Sequence, residues 1–265
     1  MTRSSSRRLL AGYTAIVVAA ILLPILAVLV VAFSPDASVA VPPRGLSLRW
    51  FRYLAGRHEL VDAAGVSVQI ALIAALISVA LGTLASLALV RERIPGKALV
   101  DAVLMSPLAL PGIITGVALL QFMSLVGFTP SFWRLVAGHI VVCTPYAIRS
   151  ISASLHGIDR SLEDASQVMG AGPWRTFRRI LLPLLRPGIS AAFIFAFLTS
   201  FENVVVSIYL ISADTVTLPI RIMTYVEWQF DPSVAAISTG LVIATTGLVL
   251  LAEWLTGLSR SMRPR

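Results

Sequence analysis

Cysteine and charge are both scarce in this sequence of 265 residues. Cys143 is the single cysteine, so no disulfide within the chain is possible and no redox compartment is indicated. Only 13% of the residues are charged, whereas soluble domains carry about 25%. With 57% hydrophobic residues and a mean hydropathy of +0.88, a soluble protein would have too little polar surface to face water. The composition therefore indicates an integral membrane protein.

The sequence also lacks the short motifs of common catalytic and metal sites. His58, His139 and His156 are scattered, and no HExxH, CxxC or nucleophile-elbow pattern occurs. There is no G-x-x-x-x-G-K-S/T phosphate loop for ATP. We therefore expect no catalytic residue, no metal and no cofactor. The net charge of +8 does not indicate nucleic-acid binding, because the basic residues flank apolar runs instead of forming a patch.

Six apolar runs are long enough to cross a bilayer, which takes about 20 residues each. They lie at 9–33, 64–90, 97–122, 134–153, 187–211 and 234–256. A signal peptide is the alternative for the first run, since Ser38-Val39-Ala40 faintly resembles a cleavage site, but that run exceeds the ~7–15 apolar residues of a signal. The sequence thus predicts an all-α polytopic protein with about six transmembrane helices, in a single transmembrane domain over residues 1–265.

Basic residues are distributed unevenly between the two sides that these spans define. If the N-terminus is inside, fifteen of the 21 Lys and Arg residues fall in cytoplasmic segments. The remaining six are Arg44, Arg49, Arg52, Arg57, Arg134 and Arg221. The positive-inside rule then predicts that both termini are cytoplasmic.

The segment 154–186 is longer than a simple connection between helices, which takes about 2–8 residues. We expect Ser161 to cap a two-turn helix, with Asp164 three residues on in a capping-box position. Gly170 is expected to end that helix in a left-handed conformation. A short helix on the cytoplasmic side is therefore predicted.

A second short helix is predicted to follow it. Pro173 suits the first helical position, and Trp174 with later apolar residues recurs at helical spacing. We expect Pro183 and Pro187 to break the helix before the next span. An amphipathic helix on anionic lipid is the alternative for residues 173–182, but it leaves the preceding capped helix unexplained.

Three groups of residues in this segment have a distinctive spacing: Asp164-Ala165-Ser166, then Gly170, then Ile180-Leu181-Leu182-Pro183. The segment resembles the EAA loop of binding-protein-dependent ABC importer permeases, whose pattern is E-A-A, three residues, Gly, nine residues, I-x-L-P. Asp164 stands for the Glu and Ser166 for the second Ala, so charge or size is preserved at both departures.

Three further stretches, 45–51, 106–112 and 200–207, are similar to one branch of that family. This is the spermidine/putrescine-type branch, which also includes permeases for opines and other small organic solutes. The resemblance implies a multi-pass permease of a bacterial inner membrane that forms half of the path of a small solute, best matched by a polyamine. Another organic solute (an opine, an amino-acid-like compound or a phosphonate) is the alternative, and a secondary transporter or a membrane enzyme is a more remote one.

The resemblance also implies partners. They are a cytoplasmic ATPase dimer that hydrolyses the ATP, a second and distinct permease chain, an external solute-binding protein, and membrane lipid. The residues implied in coupling to the ATPase are Glu163, Asp164, Ala165, Ser166, Gly170 and Ala171.

Glu202 is the one acidic residue well inside a predicted span. An ionisable group at that depth costs a few kcal/mol unless it is paired or faces a water-filled path. We therefore assign Glu202 and Asn203 to the solute path, with a hydrogen bond between helices as the alternative.

Other polar residues in spans are weaker path candidates, because such residues also hold helices together. These are Gln69, Thr115 and Gln121. In the third span, a hinge or a simple kink is expected from Pro107, Pro111 and Gly112.

Overall fold

The computed structural model describes residues 3–37, 43–228 and 231–256, so Ser38-Val39-Ala40 lies outside the described residues. The helices are α1 (Arg3–Ala32), α2 (Arg49–Ala55), α3 (His58–Arg91), α4 (Lys97–Ala109), α5 (Gly112–Leu125), α6 (Ser131–His156), α7 (Ser161–Val168), α8 (Pro173–Thr176), α9 (Leu182–Phe201), α10 (Ser207–Leu210), α11 (Leu218–Trp228) and α12 (Ser233–Thr256). In these ranges the one β-type pairing is an isolated bridge between Ser212 and Thr215. The all-α prediction is confirmed.

Four helical stretches are long and apolar enough to cross a membrane. They are Leu10–Ala32, His58–Arg91, Ser131–His156 and Pro173–Phe201. α4 and α5 add a fifth if the bent pair counts as one span, and the sixth predicted run coincides with α12, whose part Ser233–Gly247 is a shorter apolar helix. A polytopic helical protein is therefore confirmed, and six is an approximate number of spans.

The third predicted span is broken between α4 and α5, which are bent by 107°. Leu110 is extended (ψ 141°), as a residue before proline prefers, and Pro111 has ψ 134° before Gly112 begins α5. Pro107 is accommodated inside α4. The span is thus discontinuous and not simply kinked, and the break lies at Leu110-Pro111.

The fifth predicted span differs from its predicted bounds. Helix α9 starts at Leu182 and ends at Phe201, the chain is irregular before Ser207, and α10 has only four residues. Glu202 therefore follows the end of a helix. Its predicted place well inside a continuous span is corrected, because the helix stops one residue before it.

The chain forms two compact units. The first comprises the described residues up to Val61 and within Ile222–Thr246, and its buried cluster contains Ala32, Trp50 and Ala236. The second comprises Asp62–Arg221 and the described residues from Gly247. Its two buried clusters are Ile70, Met123, Leu135, Val136, Val206 and Leu210, and Ala147, Ile151, Leu155, Leu181, Leu185 and Ala192.

Small and hydroxyl residues set the packing of the second unit. Ser86 Oγ of α3 donates a hydrogen bond to the Ile148 carbonyl of α6 at 3.1 Å. A Cβ on Gly188 of α9 would lie only 2.4 Å from the Ser154 Cβ of α6. Close helix packing of this kind is typical of membrane helices, where small residues let backbones approach. α6 and α9 thus hold both ends of the segment 154–186.

Candidate functional site

The first helix of the segment 154–186 begins differently from the prediction. Arg160 is at the N-cap with helical angles (φ −62°, ψ −26°) and Ser161 is the first helical residue. Asp159 Oδ1 accepts the Ser161 backbone N–H at 2.9 Å. The hydrogen bonds from the Ser161 backbone and then from its side chain hold the pKa of Asp159 below its usual value. The predicted Ser161 cap is therefore wrong, since Asp159 satisfies this helix end.

The end of α7 is as predicted. Gly170 has φ +82°, which glycine adopts without the penalty that a Cβ brings. Its N–H donates to the Gln167 carbonyl at 2.8 Å, and the Ala171 N–H donates to the Ser166 carbonyl at 3.0 Å. These two bonds form a Schellman motif, which satisfies the last carbonyls of the helix.

The chain then restarts as predicted at Gly172-Pro173. Gly172 is extended (ψ 163°) and Pro173 opens α8. The Trp174 ring stacks on Phe177 with centroids 5.6 Å apart, yet 70% of Trp174 remains exposed. An aromatic side chain thus stands on the outside of the turn.

The two prolines after α8 do not break the helix, contrary to the prediction. A π-helical turn, Phe177–Leu181, joins α8 to α9, and the Leu182 N–H reaches back to the Phe177 carbonyl. Pro183 comes just after this π-helical turn, and Pro187 lies inside α9, next to Gly188 that packs on α6. The helix therefore runs without interruption into the span.

Part of the predicted coupling set forms an outward face. Asp164, Ala165 and Gly170 are exposed. Beside them Val168 is 88% and Met169 is 80% exposed, although both are apolar. Sequence reasoning missed these two side chains, because helical spacing alone does not tell which apolar residues of a short helix are buried.

The rest of the set points inward. Ser166 is buried, and its Oγ lies 3.0 Å from Thr176 Oγ1 of α8. The Glu163 carboxylate pairs with the guanidinium of Arg91, at the end of α3, at 2.7 Å. Ala171 is half-buried. Ser166 thus contacts α8 and does not belong to the outward face.

The predicted path residues Glu202 and Asn203 lie where α9 ends. Glu202 is exposed. The Asn203 side-chain oxygen accepts the Val206 N–H at 2.9 Å, and its carbonyl accepts the Ser207 hydroxyl at 2.5 Å. Asn203 therefore shapes the turn into α10, while the Glu202 carboxylate is left at the surface of the chain.

His139 of α6 joins the two sides of this break. Its Nδ1 lies 2.6 Å from Ser200 Oγ of α9, and its Nε2 lies 2.8 Å from Ser207 Oγ of α10. All three side chains are buried. The sequence signal was a lone histidine in an apolar run, which is typical of such a packing role.

The remaining path candidates lie on other helices. Gln69 on α3 and Gln121 on α5 are exposed, whereas Thr115 on α5 is buried and donates to the Pro111 carbonyl at 3.5 Å. No hydrogen bond among the residues that the structure describes joins these side chains to Glu202. The structure thus does not bring the predicted path residues together within this one chain.

Residues 78–261 match the family described as the binding-protein-dependent transport system inner membrane component. The chain belongs to this family. It is the permease component of an ABC importer, a transport subunit that crosses the inner membrane several times.

Curated relatives cover almost the whole chain. The spermidine/putrescine transport system permease protein PotC of Haemophilus influenzae is 31% identical over 91% of this chain and 93% of the relative. The putrescine transport system permease protein PotI of Escherichia coli is 31% identical over 87% of this chain and 84% of the relative.

A solved structure has the same fold. It is a bacterial ABC transporter involved in the import of the acidic polysaccharide alginate, with a TM-score of 0.70, 16% identity and 98% of each chain covered. At this identity the likeness concerns the fold alone.

Proposed function

We propose that this permease forms half of the path of a polyamine importer. The observation that carries the proposal is the 31% identity to the spermidine/putrescine permease over 91% of the chain. A polyamine is a flexible polycation, so its path requires negative or polar groups that replace its water. Another small organic solute is the alternative outcome of the test below.

The partners that we propose are those that the same family implies. A cytoplasmic ATPase dimer docks on the outward face of α7, a second and distinct permease chain completes the path, and an external binding protein delivers the solute. The exposed Asp164, Val168 and Met169 support this docking, since they offer a charge and an apolar surface that no described part of the chain covers.

Glu202 is the residue of this chain that meets the solute. Its carboxylate is exposed at the irregular turn after α9, beside the turn that Asn203 and His139 fix in place. A charge held at a fixed backbone turn between apolar helices attracts a cation more strongly than one in bulk water.

Uptake of radiolabelled spermidine into proteoliposomes that hold the whole importer tests this function. Excess unlabelled putrescine should compete, and an acidic solute should not. Glu202→Gln keeps the shape and removes the charge, so uptake should fall about tenfold, the effect of losing roughly 1.4 kcal/mol. The same change at Glu59, an exposed carboxylate at the start of α3, is the control.

Absence of spermidine uptake by an importer that transports another solute would reject the polyamine substrate. Wild-type spermidine uptake by Glu202→Gln would remove Glu202 from the path. Loss of assembly in Glu202→Gln would instead make it an interhelical contact.

A further inference from the structure

A shielded ion pair joins α3 to α7. Arg91 is the last residue of α3, and Glu163 lies in the first turn of α7. Arg91 Nε and Glu163 Oε1 are 2.7 Å apart, with 13% and 14% of the two side chains exposed. It is the one salt bridge found among the described residues.

Two hydrogen bonds reinforce this pair. Arg91 Nη2 donates to the Ile158 carbonyl at 3.0 Å, and Arg160 Nη1 donates to the Arg91 carbonyl at 3.2 Å. The Arg91 residue thus contacts the chain both before α7 and within its first turn. Glu163 in turn has its carboxylate directed at α3, away from the outward face formed by Asp164, Val168 and Met169.

The physical consequence is a stiff connection. Opposite charges shielded from water attract more strongly than exposed ones, and the hydrogen bonds from the Arg91 and Arg160 guanidinium groups to backbone carbonyls are charge-assisted. On its other side α7 is tied to α8 through Ser166 and Thr176. Side-chain contacts therefore connect α7 to both α3 and α8.

We propose that the Arg91–Glu163 pair transmits the movement of α7 to the span α3, so that Glu163 is a positioning residue and not a contact of the ATPase. This inference rests on the proposed docking of the ATPase on α7. A displacement of the docked helix then reaches the membrane span α3 through this ion pair. Nothing in the sequence paired these residues, because 72 positions separate them.

Charge reversal tests this role. Arg91→Glu and Glu163→Arg each place two like charges together, so each should lower solute transported per ATP hydrolysed by at least about tenfold. The double variant Arg91→Glu with Glu163→Arg restores an opposite pair and should recover transport to within about threefold of the wild type. Arg93→Glu, an exposed arginine two residues on, is the matched control.

Three readouts on the assembled importer separate the explanations. The single variants should keep ATPase association in a pull-down and keep their ATP hydrolysis, while transport falls; this is uncoupling, which a merely structural role would not produce. If a charge-reversed permease does not insert into the membrane, the neutral variants Arg91→Gln and Glu163→Gln replace it. They should show the same loss of transport with ATPase association kept.

The inference is overturned if the single variants transport normally, if the double variant is no better than either single one, or if the single variants lose the ATPase. Failure of the proposed docking itself has a different signature. In that case Asp164→Lys, on the outward face, would leave ATPase association unchanged.

Discussion

Gly170 closes α7 with φ +82°, and a Cβ built there would meet no atom within 4 Å. A side chain at this position is therefore penalised by the backbone alone and not by a clash. Gly170→Val should cost about 1–3 kcal/mol in the left-handed conformation and loosen the turn. Coupled transport should fall, while solute binding to the external protein should be unchanged.

The sequence offers a matched control two residues away. Gly172 also has open space around its Cβ position but is extended, so Gly172→Val carries no left-handed penalty. The measurement is transport and ATPase pull-down for both variants. Equal effects of the two changes would show that bulk matters at this turn and that the conformation of Gly170 does not.

Residue type alone was enough to predict the end of α7 and the start of α8, because the backbone constraint at each position belongs to a single residue. Gly170 and Pro173 were predicted because a positive φ and a missing N–H are properties of one residue. The roles of Ser166 and Arg91 could not be predicted, because their partners Thr176 and Glu163 are brought near only by the fold.

The effect of proline on a whole helix could not be predicted from the sequence either. Pro111 breaks its span, since Leu110 before it is extended and α5 starts anew after it. Pro183 and Pro187 do not, because a π-helical turn precedes them and α6 packs along the same region. The sequence pattern of the two sites is similar, and the neighbouring helices decide the outcome.

The contact between α6 and α9 depends on Gly188. A Cβ at this residue would lie 2.4 Å from Ser154 Cβ and 2.8 Å from its Oγ. Gly188→Ala should therefore push the helices apart and lower the free energy of unfolding by about 1–3 kcal/mol. Ser154→Gly removes the clashing atoms, so the double variant should recover part of that loss.

Thermal unfolding of the purified importer in detergent measures this effect. Gly65→Ala on α3 is the control, because its Cβ would meet no atom within 4 Å and alanine favours a helix over glycine. A Gly188→Ala protein as stable as the control would show that α6 and α9 shift apart without cost.

At the scale of the whole molecule, apolar runs were sufficient for the helical membrane architecture, since a bilayer demands about 20 apolar residues per span. They could not give the break after Phe201, because no proline or glycine follows it before Ser207, whereas Pro111 and Gly112 mark the break at Leu110 in the sequence. The sequence also did not show how Glu202 lies relative to Gln69 and Thr115, because these residues lie on or next to different helices that only the fold arranges.

The orientation of the chain in the membrane is predicted from the distribution of charge and not from helix packing. Fifteen of the 21 basic residues fall on the side of the N-terminus, and moving them across the bilayer is unfavourable, so both termini and the segment 154–186 should be cytoplasmic. Fusions of a periplasm-active and a cytoplasm-active reporter after Arg265, within 154–186 and within 34–63 test this. The first two sites should be active only with the cytoplasmic reporter, and the third only with the periplasmic one. A periplasmic signal at Arg265 with a cytoplasmic N-terminus would require an odd number of spans, and the segment 134–153 would then be the first to reassign, because Ser131–His156 has the lowest mean hydropathy of the four long apolar helices.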